Sequence, residues 1–181
     1  MKELLLGVTG GIAAYKSANI VSRLTQLGVR VSVVMTPSAT KLVSPHTFEA
    51  LSGLPARYSM FSAKMGHAHI ELARSADLFC IAPATANILG KAAHGIADDL
   101  VSTLILSFDG PILFAPAMNT TMWNKPSVQR NVRQLRDDGM LFIGPESGHL
   151  SCGESGIGRM AEPETIVETI MQHLQAWHTT D

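Results

Sequence analysis

The segment Pro116-Ala117-Met118-Asn119-Thr120-Thr121-Met122-Trp123 sets a primary amide in an apolar wall. It follows the apolar run 111–115, which reads as a buried strand, and precedes a helical pattern from about Ser127. The mouth of a strand is where a parallel sheet presents groups to a ligand. An Asn there can donate to a carboxylate or carbonyl oxygen, or it can fold onto its own turn. Cys152 lies beside Gly153 in a polar stretch, a setting that leaves a thiol reactive, whereas Cys80 sits in an apolar strand and reads as inert packing. His67 and His69 stand at i and i+2 ahead of Glu71, and either one titrates in the range that suits proton transfer near neutral pH. The residue pattern alone does not choose between them. His67, His69, His149 and Cys152 are all metal-ligand types, but their spacing matches no compact zinc pattern, so no metal is expected. Arg159, in Gly158-Arg159-Met160, is either a clamp for an anionic substrate or an ordinary solvated charge.

A second group of residues suits a phosphate. Gly7-Val8-Thr9-Gly10-Gly11-Ile12-Ala13 occupies the first strand-to-helix turn, where bare backbone and a helix start favour an anion. Tight packing explains such a glycine pair equally well. This is not the G-x-G-x-x-G fingerprint, and the second strand ends in Met35-Thr36 rather than in an acidic residue that would hold a ribose diol. A nicotinamide dinucleotide is therefore disfavoured. A mononucleotide phosphate, met by the turn and by the hydroxyls of Thr36 and Ser38, fits better. Pro83-Ala84-Thr85-Ala86-Asn87, after the third strand, would lie beside the same crevice and face an isoalloxazine edge.

The elements that must position these groups alternate. Buried strands read at residues 4–9, 29–35, 77–82, 111–115 and 140–143. Helices read from Gly10-Gly11 to a stop at Gly28, then over about 40–51, from Asn87 through about Ala93, over 100–107 behind an Asp98 or Asp99 cap, to about Asp138, and over 164–177. In the first of these helices, Ala13, Ser17, Ile20, Leu24 and Leu27 share one face. Short connections between alternating strands and helices predict a parallel sheet with helices on both faces. Residues 147–159 are rich in Gly and Ser without periodicity and read as a mobile lid.

The 181 residues suit one domain, 1–181, and a hydrophobic fraction of 46% against 16% charged allows a large core or an apolar oligomer face. A net charge of −1 gives no reason to expect nucleic acid, and no apolar run is long enough to span a bilayer. Met1-Lys2-Glu3 leads into a strand without a signal-peptide pattern, and the two cysteines offer no disulfide framework, so the expected location is cytoplasmic.

Taken together, the octapeptide, Gly10-Gly11-Ile12, His69-Ile70-Glu71-Leu72, the 83–87 segment, the Asp98-Asp99 turn and the Cys-Gly and Gly-Arg-Met elements of residues 151–160 resemble the flavin-dependent cysteine decarboxylases. They are most similar to the branch of that family that acts on 4′-phosphopantothenoylcysteine. The resemblance implies a three-layer α/β/α sheet, Rossmann-like or flavodoxin-like. It implies FMN held by Gly10, Gly11, Ile12, Thr36, Ser38, Thr85, Ala86, Asn87 and Ala117, and substrate held by Asn119, Met122, Arg159 and Met160. It chooses His69 over His67, and assigns catalysis to His69, Asn119 and Cys152. The implied reaction is conversion of 4′-phospho-N-pantothenoylcysteine to 4′-phosphopantetheine in coenzyme A biosynthesis, by thiol oxidation, loss of carbon dioxide and reduction of the enethiol. A homo-oligomer, a trimer or an assembly of trimers, is implied as well, with neither nucleic acid nor membrane as partner. Three other readings share the scaffold: a peptidyl-cysteine decarboxylase that stops at the enethiol, a flavin prenyltransferase, and a non-catalytic flavin-binding regulatory protein. Cys152 and the Gly-Arg-Met element count against the first, and the intact octapeptide with His69 counts against the second. The third usually carries acidic extensions, and none is seen before Asp181.

Overall fold

Strand β1 (Glu3–Val8) is apolar on both faces because it lies inside a parallel sheet covered on both sides. The computed structural model describes residues 2–60, 68–149, 153 and 155–176, without the side chains of 68–71 and 176. Within it, β1 pairs with β2 (Arg30–Met35) on one side and β3 (Leu78–Ala84) on the other; β4 (Ile112–Pro116) and β5 (Leu141–Phe142) follow. The five strands run in the order β2-β1-β3-β4-β5, the flavodoxin-like order. The chain winds outward from β1 to β2, then crosses back to β3 and continues the other way. That reversal opens a crevice beyond the carboxyl ends of β1 and β3.

Helices α1 (Ala14–Gln26), α2 (Pro45–Ser52) and α8 (Pro163–Ala176) cover one face. The other face is covered by α3 (Ala68–Ser75), α4 (Ala86–Ala93), α5 (Leu100–Ser107) and α7 (Pro126–Asp137). Each face has its own core, with Phe48 and Ile20 buried on the first and Phe79, Phe114 and Ile88 on the second. The three-layer fold expected from the sequence is therefore the fold observed. Among the described residues no helix is long and apolar enough to cross a membrane.

Three elements differ from the sequence reading. Helix α1 starts at Ala14, not at the glycines, because a tight turn in which the Ala14 N–H donates to Gly11 O (2.9 Å) comes first. Leu27 lies past the helix end and is 56% exposed, so it leaves the buried face. The single helix read over 40–51 is a short turn, Ala39–Lys41, followed by α2, since Pro45 forces Ser44 into extended backbone. The largest difference is the lid. Residues read there as unstructured form an antiparallel hairpin of β6 (Glu146–His149) and β7 (Ser155–Arg159). Glycines at 148, 156 and 158 erased its alternating pattern from the sequence.

Candidate functional site

A cleft of about 940 Å³ opens at the crevice between β1 and β3. That volume lies near the top of the usual range for small-molecule sites, room for a cofactor together with a substrate. Its walls come from the turn after β1, the start of α1, the end of β2, the start of α4, the segment after β4, and β7.

At the β1 end the cleft floor is backbone and buried hydroxyls. A Cβ on Gly10 would collide with Ser38 Cβ, and one on Gly11 would sit 3.2 Å from Thr85 Cγ2. Gly10 is thus required by packing and Gly11 is close to its limit, and the same packing leaves the turn bare. The N–H groups of Gly10 and Ile12 have no acceptor among the described residues. Unpaired amides beside the first turn of a helix suit a phosphate. Thr36 and Ser38 line this end; Thr36 Oγ1 is partly engaged, accepting from the Ala39 N–H (3.3 Å), and Ser38 Cβ stands where a Cβ on Gly10 would. Thr85, Ala86 and Asn87 line the cleft as expected, except that Thr85 Oγ1 is the cap of α4, accepting from the Ile88 N–H. Ala117 also lines it, and its N–H donates to Ala84 O (3.1 Å).

Thr9 was missed by the sequence reading. Buried at the last position before the turn, it donates to Pro83 O at 2.6 Å and accepts the Thr85 N–H at 3.2 Å. It ties the ends of β1 and β3 together under the cleft. A Thr closing an apolar strand was the only available signal.

At the β4 end, Asn119 is both things the sequence allowed. It caps the short helix α6 (Thr120–Trp123), its Oδ1 accepting from the Met122 N–H at 2.8 Å. Because that N–H requires an oxygen, the amide nitrogen is the atom left over, and Asn119 is an exposed cleft residue. A donor is therefore presented at the carboxyl end of β4. Met122 is 42% exposed beside it.

Two expectations for this end need correction. Met160 lines the cleft only as part of its wall, being 1% exposed and packed in the core. Arg159 is not a solvated loop charge. It lies on β7, with Nη2 bonded to Glu146 (3.1 Å) and Nη1 paired with Glu162 (3.2 Å). Glu162 in turn accepts from Lys16 Nζ (3.0 Å), whose hydrogen bond holds its carboxyl below the ordinary range. On the opposite wall, Lys91 donates to Asp98 and Asp99, both at 2.6 Å. Burial pulls the Lys91 ammonium down, and the two hydrogen bonds outweigh it, so Lys91 titrates above the usual lysine range. Asp99 caps α5 in a reciprocal arrangement with Ser102, which settles the choice of cap. The Lys16–Glu162 pair went unread because its partners are 146 residues apart in sequence.

His69 lies in the first turn of α3, and its side chain is outside the described residues. His67 and Cys152 are also outside the described residues. Cys80 is fully buried in β3, and burial pushes its thiol up to about 12, consistent with inert packing.

A family model described as Flavoprotein matches residues 1–175. The coenzyme A biosynthesis bifunctional protein CoaBC of Bacillus subtilis (strain 168) is 46% identical over 174 residues, covering 95% of this chain and 43% of that protein. The CoaBC protein of Escherichia coli (strain K12) is 42% identical over 174 residues, covering 95% and 43%. The chain thus spans less than half the length of these curated relatives. Among solved structures, a cysteine-to-serine mutant of PPC decarboxylase complexed with pantothenoylaminoethenethiol superimposes with a TM-score of 0.84 at 34% identity, covering 96% of this chain and 98% of that one. The FMN-dependent cysteine decarboxylase SpaF gives 0.81 at 37% identity, covering 96% and 97%.

Proposed function

Since the chain belongs to the flavoprotein family, we propose that it is an FMN-dependent carboxy-lyase that converts 4′-phosphopantothenoylcysteine to 4′-phosphopantetheine. The observation that carries this reading is the Asn119 amide: its oxygen is held by the α6 cap, which leaves N–H₂ as the free donor of a residue lining the cleft at the carboxyl ends of the strands. Similarity to CoaBC proteins and to PPC decarboxylase supports the choice of substrate.

The residues present fit the cofactor. The bare Gly10-Gly11-Ile12 turn with its unpaired amides suits the phosphate, with Thr36 and Ser38 beside it. Thr85, Ala86, Asn87 and Ala117 would wall the ring system. When bound, FMN supplies hydride transfer, which no side chain can perform.

The chain's own groups do the rest. The Asn119 amide donates to the substrate carboxylate and fixes it for cleavage. His69 takes the thiol proton as the carbon bearing sulfur is oxidised to a thioaldehyde. The C=S group then lies beta to the carboxylate and accepts the electron pair released with carbon dioxide, leaving an enethiol. Cys152 delivers a proton to the enethiol as it is reduced, giving the saturated thiol. Met122 and the wall around Met160 exclude water, and Arg159, braced by Glu146 and Glu162, faces the anionic end of the substrate.

Ile12 and Tyr15 are 60% and 63% exposed on the cleft rim. Apolar groups at a cofactor rim support a homo-oligomer, a trimer or an assembly of trimers, in which another copy covers them. A cytoplasmic location is consistent with this reading.

The test is spectroscopic. The purified protein should show flavin absorbance and release a mass matching FMN, and in Cys152→Ser that flavin should be bleached by substrate without air. In Cys152→Ser, product should accumulate two hydrogens short of 4′-phosphopantetheine, because a hydroxyl is a far weaker acid than a thiol of pKa about 8.5. Normal product at the wild-type rate from that variant would remove Cys152 from the mechanism, whereas a wild type that stops at the enethiol would favour a peptidyl-cysteine decarboxylase.

A further inference from the structure

Strand β7 does not lie over the cleft as a free flap. It is packed flush against the segment that carries Asn119, on both sides of that residue. A Cβ built on Gly156 would overlap Thr120 Oγ1 and lie 3.2 Å from its Cγ2. One built on Gly158 would overlap Met118 O and come within 3.3 Å of the Asn119 carbonyl carbon. Gly158 also has φ +140°, a backbone conformation that favours glycine, and its carbonyl accepts from the Met118 N–H at 2.9 Å. Thr120 Oγ1 is buried with no hydrogen-bond partner among the described residues, so contact with Gly156, not polar pairing, holds it. The strand is braced from behind as well. Arg159 lies across Gly148, where a Cβ would sit 2.8 Å from Nε, and its guanidinium reaches Glu146 and Glu162.

We propose that Gly156 and Gly158 are positioning residues for the Asn119 amide: missing side chains on β7 let the hairpin press on residues 118 and 120 and set where the donor points. This rests on the reading of Asn119 as the group that meets the substrate carboxylate. Helix α6 has only four residues and cannot hold Asn119 by its own hydrogen bonds. The hairpin supplies the missing rigidity. A side chain at 156 pushes Thr120 away and tilts the cap, and a displacement of about 1 Å at a reacting centre costs on the order of 10²-fold in rate. Cofactor contacts at the β1 end are remote from this clamp and should not change.

The test uses the flavin-loaded protein and 4′-phosphopantothenoylcysteine. Gly156→Ala should lower kcat/KM by about 10–10²-fold while FMN affinity stays within about twofold of wild type. Removing Thr120 Oγ1 and Cγ2 makes the room that the new Cβ needs, so Thr120→Ala/Gly156→Ala should recover most of the loss. In ¹⁵N spectra the Asn119 side-chain amide and the Met122 N–H should shift in Gly156→Ala and return toward wild type in the double variant. Unmoved resonances, a loss that tracks FMN affinity, or no rescue by Thr120→Ala would overturn the clamp. If the wild type does not act on the substrate while the resonances behave as described, the clamp stands and the assignment of the reaction falls.

Discussion

The two ends of the cleft are built by opposite means. At the β1 end the groups are backbone amides and the buried hydroxyl of Thr9, welded into the sheet through Pro83 and Thr85. At the β4 end the principal group is an exposed amide on a four-residue helix, held from outside by a hairpin. Binding is thus assigned to the core and chemistry to an attachment on it. Changes at the first end should alter stability and cofactor affinity together, and changes at the second should alter turnover alone.

The largest effect is expected from His69→Asn, which should reduce decarboxylation by about 10²–10⁴-fold, as removal of a positioned proton-transfer group does. His67→Asn should be mild. Equal losses from the two variants would remove the distinction between these histidines. Next is Asn119→Asp, the sharpest probe of the comparison. An Asp oxygen still accepts the Met122 N–H, so the unfolding free energy from urea titration should stay within about 0.5 kcal/mol of wild type. The donor is lost and a carboxylate faces the substrate carboxylate, so turnover should fall by about 10²–10³-fold. A variant that unfolds would show that the chemical end is structural after all.

Thr9→Val tests the opposite end. It keeps the shape but leaves Pro83 O and the Thr85 N–H without their partner, a loss of about 1–3 kcal/mol. Denaturant unfolding should report that loss, and FMN affinity should fall with it. Unchanged stability with weakened binding would break the coupling argued for this end. The smallest effect concerns acid. Lys16 holds the Glu162 carboxyl below its usual 4.5, so its contribution is present above that value and drains away as pH falls below it. Glu162→Gln should remove that contribution, lowering stability slightly at neutral pH and flattening the acid limb, a small effect because the Glu162 side chain is 40% exposed.

Which features were legible in the sequence follows from how local their causes are. β3 and β4 were readable because burial on both faces gives unbroken apolar runs. The helix α5 announced itself through a cap at Asp98 or Asp99, a signal spanning three residues, whereas the cap role of Thr85 was not read. The Asn119 octapeptide was readable as a site, yet the fate of each amide atom depended on a single N–H of Met122. Non-local causes stayed hidden. Gly10 is bare because of Ser38, Gly156 because of Thr120, and Arg159 is braced across the hairpin by Glu146. The hairpin was missed for the same reason, since glycines that serve a neighbouring segment carry no alternation of their own.

Cys80 has a further use. Its thiol is sealed in β3 with its pKa raised to about 12, so an alkylating reagent meets almost no thiolate while the sheet is closed. With only two cysteines in the chain, a Cys152→Ser background leaves Cys80 as the sole target. Its labelling rate then becomes a clock for sheet opening, read by mass in a native buffer without denaturant. Addition of FMN should slow that clock in proportion to the fraction of protein bound, which turns a packing residue into a gauge of how strongly the cleft holds the strands beneath it together.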